Sequence, residues 1–277
     1  MNTLNKYRQR ALLILEPIHG PRESKAIIEL WFERRLQMSK LAQVLAAENL
    51  MVFESFEQDL SLLSEDVPIQ YILKESFFID FWLEVNPFTL VPRPETEELV
   101  RELALWLPNH PLTVLDIGTG SGCIALGLKH LRNDLICSGV DLQKGAVQTA
   151  QRNAKHLELE VDFKVLDILS SSFNNVDVVV SNPPYIPQLE RKLMKNHVVF
   201  SEPSVALFVP DNDPLMFYRR LIELGINQEP LPAKYFAFEI HEDFGMEMLD
   251  LCREYSLKDI ILKQDFQGKN RIIFAKV

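Results

Sequence analysis

In the first quarter of the chain, apolar residues recur at three- and four-residue spacing. Leu4, Tyr7, Ala11, Leu12 and Leu15 fall on one helix face. Pro17 and Pro21, flanking Gly20, interrupt that helix. Ile27, Leu30 and Trp31 mark a second helix, and Ser39 suits the cap of a third that carries Leu41, Val44 and Leu45. Phe53, Phe56, Leu60 and Leu63 mark a fourth. These stripes predict the core of a small all-helical domain over residues 1–70.

Residues 71–91 break the helical period. They are rich in aromatic and β-branched types and divide near Asn86-Pro87, which predicts a β-hairpin linker. Pro94 then suits the first turn of a helix running to Leu107, with Glu95 and Glu97 at its positive end. From residue 113 strand and helix patterns alternate. Strands are predicted at Thr113–Ile117, Leu135–Val140, Val161–Leu166, Val176–Val180 and Tyr235–Ile240, with two more near 257–263 and 271–276. Such alternation gives an α/β fold, a mainly parallel sheet covered by helices. The last two strands are too close for a helical crossover and should pair antiparallel. This second domain spans 92–277.

Glycine placement adds chemistry to that outline. Of the ten glycines, six fall between residues 118 and 145, and Gly20 alone precedes them. The first strand runs directly into Gly118, Thr119, Gly120, Ser121 and Gly122. Glycine there permits positive φ and close approach of a ligand to the main chain. The second strand ends near Asp141, 19 positions after Gly122. A carboxylate at that distance can accept from both hydroxyls of a ribose. Asp116, just before the glycines, could neutralise an ammonium directly or through water. The G-x-G-x-G spacing after an acidic strand end favours S-adenosyl-L-methionine over a dinucleotide, whose usual loop reads G-x-G-x-x-G.

The strand ending at Ser181 leads into Asn182, Pro183, Pro184 and Tyr185. In a doubly wound sheet this strand adjoins the glycine-loop strand, so both loops open on one crevice. An amide or exocyclic amine nitrogen is a poor nucleophile because its lone pair is delocalised. The Asn182 side-chain oxygen and the Pro183 carbonyl could each accept one of its N–H groups. Two prolines hold that carbonyl in place, and Tyr185 could stack on a planar group. Orientation would then carry the rate, with no metal required.

Composition narrows the class. The 277 residues are 47% hydrophobic and 25% charged, ordinary for a chain with a sizeable core. No apolar run of about 18 residues predicts a membrane span, and the N-terminal pattern does not resemble a secretory signal. Cys123, Cys137 and Cys252 show no metal spacing and read as reduced thiols of a cytoplasmic protein. The net charge of −10 disfavours stable nucleic-acid binding. Residues 1–40 hold eight Lys or Arg against four Glu, a local +4 that leaves −14 elsewhere. That contrast reads either as a solvated helical face or as a docking surface for an acidic partner.

Several stretches together resemble the PrmC/HemK family, the peptide chain release factor glutamine N5-methyltransferases. They are Pro68–Leu73, the run Val91-Pro92-Arg93-Pro94-Glu95-Thr96-Glu97, Leu115–Gly122 and Val180–Ile186. Glu202-Pro203 with Ala206-Leu207, and Phe217-Tyr218-Arg219, are also similar. The P-R-P-E-T-E run narrows the resemblance, because N-P-P-Y also occurs in adenine methyltransferases. The resemblance implies a Rossmann-like, seven-stranded class I methyltransferase domain, a β-hairpin linker and a helical domain that recognises the release factor. It implies cofactor contacts at Gly118, Thr119, Gly120, Ser121, Gly122, Asp141 and Asn182, with Ile168 on the adenine. Asn182, Pro183, Pro184 and Tyr185 would hold the glutamine of a Gly-Gly-Gln motif in a class 1 release factor. The chain departs from the family at Lys74, where Gly is usual, at Ser201 between Phe200 and Glu202, and at Ile168, where an aromatic is common. Two other classes compete: a nucleic-acid adenine N6-methyltransferase, which calls for a basic groove, and a binding module without catalysis, which need not keep the glycines or Asn182.

Overall fold

The computed structural model describes residues 2–192 and 201–277. They form two compact units, one of residues 2–75 with Ser201 and one of residues 76–192 and 202–277. In the first, β1 (Asn2–Thr3) pairs antiparallel with β2 (Leu50–Met51), a contact the helical pattern did not foreshadow. Helix α1 (Leu4–Leu36) is two helices joined end to end, because Gly20 takes φ 78° between Pro17 and Pro21. Leu4, Tyr7, Ala11 and Leu15 are buried from its first half, and Ile28, Trp31 and Phe32 from its second. They meet Phe53 and the buried face of α3 (Phe56–Ser64). Trp31 stacks on Phe56 with ring centroids 5.1 Å apart.

Ser39 caps α2 (Lys40–Leu45), accepting from the amide of Ala42. The expected face of that helix is reversed. Leu41, Val44 and Leu45 are all at least 70% exposed, whereas Gln43 is buried. Gln43 turns inward because its Oε1 accepts from Arg8 at 2.8 Å and its Nε2 donates to the Met38 carbonyl at 3.0 Å. In a helix of six residues two such bonds outweigh the apolar stripe.

The hairpin differs from its prediction in two ways. Residues Ile69–Leu73 form helix α4, and Lys74 ends it in the left-handed region at φ 62°. That conformation explains why glycine is usual at this position in the resembled family. The two strands are β3 (Glu75–Phe78) and β4 (Phe81–Glu84), joined at Ile79 and Asp80. Ile79 has φ 60°, so the turn lacks the residues that normally announce one. Asn86 and Pro87 lie beyond the hairpin, where Asn86 closes a local turn with Thr89.

The second unit is built on a seven-stranded sheet. Its strands are β5 (Thr113–Ile117), β6 (Ile136–Asp141), β7 (Asp162–Val165), β8 (Val178–Ser181), β11 (Tyr235–Glu239), β12 (Lys258–Gln264) and β13 (Asn270–Lys276). Short β9 (Ile186–Pro187) and β10 (Phe208–Val209) pair in parallel outside it. Across the sheet the order is β7-β6-β5-β8-β11-β13-β12. The first five of these pair in parallel, and β13 lies antiparallel to both neighbours, as the short β12–β13 connection requires. Helices α5 (Pro94–Trp106), α6 (Cys123–Leu131), α7 (Lys144–His156), α8 (Met216–Ile226) and α9 (Gly245–Glu254) accompany the sheet, with Pro94 at the start of α5. Apolar clusters are buried on both faces, one around Leu99, Leu126 and Val180, the other around Leu221, Phe238 and Ile273. Chain order reverses between β5 and β8: β6 and β7 extend one side of β5, and β8 begins the other. No helix of the described residues is long and apolar enough to cross a membrane.

The first unit also buries one carboxylate. Asp59 accepts from Trp31 Nε1 at 2.8 Å, from Ser55 Oγ at 2.8 Å and from Arg35 Nε at 2.8 Å. Replacing it strands a buried indole N–H and a cation. Asp59→Ala is therefore expected to destabilise this unit by about 3 kcal/mol. Urea unfolding of the full chain measures the loss, and a change below about 1 kcal/mol would contradict this account.

Candidate active site at the strand-order reversal

The glycine loop leaves β5 through three left-handed residues, Gly118 (φ 73°), Gly120 (φ 56°) and Gly122 (φ 84°). An added Cβ on Gly118 or Gly120 would meet no atom within 4 Å, so the main chain there borders open space. The loop is pinned from below. The Val140 carbonyl accepts from the amides of Gly118 at 2.9 Å and Thr119 at 3.0 Å. Asp141 Oδ2 accepts from the Gly120 amide at 2.9 Å, and its Oδ1 from the Gln143 amide at 2.8 Å. Gly139 matters for a second reason: an added Cβ would lie 2.6 Å from both the Phe163 ring and Thr119 Oγ1.

Asp116 is fully buried behind the loop and does not line the cleft, so direct contact with a ligand is not its arrangement. Its Oδ2 accepts from Thr119 Oγ1 at 2.5 Å and from the Ala125 amide at 3.3 Å. Its Oδ1 is buried with no partner among the described residues, as is Ser121 Oγ. Burial pushes the Asp116 carboxyl up to about 7, and the neighbouring charge of Asp141 adds to the rise. Burial also raises the Asp141 pKa, while its two amide bonds oppose that.

The cleft beside the loop encloses about 1120 Å³, counting its open mouth. Gly118, Thr119, Gly120, Ser121, Asp141, Ile168, Asn182, Pro183 and Pro184 all line it. Gly122 and Tyr185 do not. Gly122 packs inward, where an added Cβ would lie 3.0 Å from Leu126 and Phe163. Leu142, Leu169, Phe88 and Phe217 supply apolar wall that the sequence reading left unassigned. The described lining carries Asp141 and Asp167 and no Lys, Arg or His.

Asn182 follows β8, whose Ser181 Oγ donates to the Ile117 carbonyl at 2.6 Å and ties the ends of the two central strands. Asn182 Nδ2 donates to Thr96 Oγ1 at 3.2 Å. Thr96 sits in the first turn of α5 and donates in turn to Glu239 Oε2 at 2.7 Å. Tyr185 donates its hydroxyl to Glu239 Oε1 at 3.1 Å, and its ring meets His241 edge-on. Glu239 is buried at the end of β11, in the register position after the Phe238–Ser181 pair. Burial raises its pKa, and the Thr96 bond and the Arg271 charge oppose the rise. Thr96 belongs to the P-R-P-E-T-E run but was given no role there, and Glu239 was not singled out from sequence. The available signal was one acidic residue closing an otherwise apolar strand, YFAFE.

Arg93, of the P-R-P-E-T-E run, reaches Glu202 Oε1 at 2.6 Å. Two stretches 109 residues apart, both singled out in the sequence, therefore meet. Phe200 lies outside the described residues.

A family model described as "Methyltransferase small domain" matches residues 96–207. The chain is 36% identical to a release factor glutamine methyltransferase of Flavobacterium psychrophilum, with 98% of each chain covered. It is 34% identical to one of Bacteroides thetaiotaomicron, with 99% of each covered. The chain belongs to the release factor glutamine methyltransferase family. Among solved structures, the hMettl16 catalytic domain in complex with MAT2A 3'UTR hairpin 6 is similar at TM-score 0.54 and 13% identity. That match covers 70% of this chain and 74% of the other and reflects a shared fold. The Rossmann-like reading of the sequence holds, and the cleft of this release factor glutamine methyltransferase family member lies where its parallel strands reverse order.

Asp116 allows a test of the loop's electrostatics. A carboxyl raised from 3.8 to about 7 by folding is better protonated in the native state. Its ionisation therefore costs stability as pH rises from about 4 to about 7, after which the cost is constant. Asn at this position keeps an acceptor for Thr119 and cannot ionise. Asp116→Asn is expected to gain stability relative to wild type between pH 5 and pH 8, with a ceiling of about 4 kcal/mol at ~1.4 kcal/mol per pH unit. Melting curves of the ligand-free protein at both pH values measure this, and parallel pH profiles would refute the buried-charge account.

Proposed function

We propose that this enzyme transfers a methyl group from S-adenosyl-L-methionine to N5, the side-chain amide nitrogen, of the glutamine in the Gly-Gly-Gln motif of class 1 peptide chain release factors. The observation that carries the reading is the Asn182 carboxamide. Its Nδ2 is bound to Thr96, while Oδ1 accepts no hydrogen bond among the described residues and belongs to a residue lining the cleft. Kinship over nearly the full chain supports the same substrate class.

The residues present fit the cofactor. Glycine main chain borders open space, and Asp141 keeps unused lone pairs for ribose hydroxyls. The unpartnered oxygens of Asp116 and Ser121 are acceptors that water can link to an ammonium. Ile168 and its neighbours give the adenine an apolar wall. Adenosylmethionine supplies, when bound, an electrophilic methyl on a sulfonium.

The chain's own part is orientation. Asn182 Oδ1 accepts one N–H of the substrate amide and the Pro183 carbonyl the other, so the nitrogen faces the methyl in line. Pro184 restricts the conformation of Pro183 and keeps that carbonyl rigid. Tyr185 rests against the planar substrate group, held still through its hydroxyl bond to Glu239, although it stands outside the cofactor cleft. Residues 1–70 are assigned to recognition of the protein substrate, with residues 71–91 as linker and residues 92–277 as the catalytic domain. We place the enzyme in the cytoplasm with no membrane or stable nucleic-acid partner. A phosphate backbone would find no cationic side chain among the described cleft residues.

Two experiments test this reading. Asp141→Ala should weaken adenosylmethionine binding by about 1.5–3 kcal/mol, the scale of hydrogen bonds to a charged group. Calorimetry on the folded variant checks this, and unchanged affinity removes Asp141 from the cofactor site. Incubation with a purified release factor and adenosylmethionine should add one methyl to the motif glutamine, located by mass spectrometry, and leave a Gln→Ala factor unmodified. An untouched factor beside methylated adenine in RNA or DNA would transfer the enzyme to the adenine N6 class.

A further inference from the structure

We infer that Thr96 and Glu239 form a one-way hydrogen-bond relay that decides which end of the Asn182 carboxamide faces the substrate. The inference rests on the reading that Asn182 Oδ1 holds the substrate amide, and it assigns Thr96 and Glu239 as positioning residues.

The two ends of a carboxamide are nearly equal in size, so sterics alone do not set their order. A rotation of about 180° exchanges an acceptor for a donor. Presented to a substrate NH2, the wrong end places donor against donor. Something must therefore fix the order, and an ionised carboxylate can, because it only accepts. Glu239 takes the Tyr185 hydroxyl on Oε1 and the Thr96 hydroxyl on Oε2. Thr96 has one hydroxyl proton. Given to Glu239 at 2.7 Å, it leaves Oγ1 able only to accept from Asn182 at 3.2 Å. Asn182 must then turn Nδ2 to Thr96, which leaves Oδ1 for the substrate. The order is imposed by the carboxylate and passed through one hydroxyl.

The relay joins three elements distant in sequence. Thr96 is 86 positions from Asn182 and 143 from Glu239. The parallel β8–β11 register brings Glu239 beside Asn182, and the first turn of α5 brings Thr96 to both. The groups around Glu239 bear on its charge. Arg271 of β13 favours the ionised form and Glu95 of α5 opposes it, with burial opposing it most. Tyr218 donates to the Glu239 backbone carbonyl at 2.9 Å and fixes the strand end without touching the carboxylate. Protonation would give Glu239 a donor of its own and release the order of the relay. Methyl transfer should therefore fall as pH drops through the Glu239 pKa.

The test separates hydroxyl chemistry from packing. Thr96→Val keeps shape and deletes the relay proton. It should lower kcat for release-factor methylation about tenfold or more, as expected from lost alignment. KM for adenosylmethionine should stay within about twofold of wild type. Thr96→Ser should recover most of that loss. Full activity in Thr96→Val, or a Thr96→Ser variant as impaired as Thr96→Val, overturns the proposal. If Thr96→Val does not fold, Glu239→Gln takes its place. The wild type should show an acid limb in kcat that this variant lacks, and an unchanged limb overturns the relay. A readout independent of the substrate is the Asn182 side-chain amide resonance, assigned by its loss in Asn182→Ala. It should move in Thr96→Val, and a fixed resonance counts against the relay. If the wild type leaves every release factor unmethylated while the Asn182 resonance still moves in Thr96→Val, the substrate reading falls and the relay stands.

Discussion

The cost of burying carboxylates at the carboxyl edge of a parallel sheet organises this molecule. Asp116, Asp141 and Glu239 stand at or beside the ends of β5, β6 and β11, and all three are raised in pKa by burial. A buried charge persists only where hydrogen bonds offset lost hydration. Each carboxylate binds groups from a neighbouring loop or helix, although Asp116 Oδ1 is left without a partner among the described residues. Asp116 holds Thr119 and the start of α6, Asp141 holds Gly120 and Gln143, and Glu239 holds Thr96 and Tyr185. The same bonds that make burial tolerable make the cleft rigid. A site that works by orientation needs this rigidity, because small displacements of the aligning groups erode the rate.

Strand-order reversal explains why these groups converge. The chain passes from β5 outward through β6 and β7, then returns to place β8 on the other side of β5. Loops leaving β5 and β8 therefore diverge and leave a crevice between them. Ser181 closes the floor of that crevice by bonding to the Ile117 carbonyl. Four of the ten glycines shape that crevice. Gly118 and Gly120 expose main chain to open space, whereas Gly122 and Gly139 make room for Leu126, Phe163 and Thr119.

Much of this was legible in the sequence because it is local. The seven strands carry short β-rich runs, the glycine loop and Asp141 keep a fixed spacing, and Pro94 marks a helix start. Pro17, Gly20 and Pro21 mark the break in α1 correctly, because each acts on its own backbone. What escaped depends on partners far away in the chain. Gln43 turns inward only because Arg8 and the Met38 carbonyl receive it, so an apolar stripe alone misoriented α2. The hairpin turns at Ile79 and Asp80 although Ile is a poor residue for positive φ, and Ile79 is buried in the core that includes Phe78 and Val100. Thr96 and Glu239 look ordinary in sequence: one is a helix-start threonine, the other a single acid after an apolar run. Only the register of β8 against β11 reveals them as one unit with Asn182.

Charge also decides what the cleft accepts. The glycine loop alone is ambiguous, since amides at a helix start attract anions. Here two of the three amides leading into the helix are already engaged. Gly120 donates to Asp141 and Gly122 to the Thr119 carbonyl, so neither is free for a phosphate. Asp141 and Asp167 line the same space with no described cation to balance them. A pyrophosphate would face uncompensated negative charge, whereas a ligand bearing a sulfonium and an ammonium would relieve it. The loop geometry thus admits a nucleoside, and the surrounding carboxylates select the cationic adenosylmethionine over a dinucleotide.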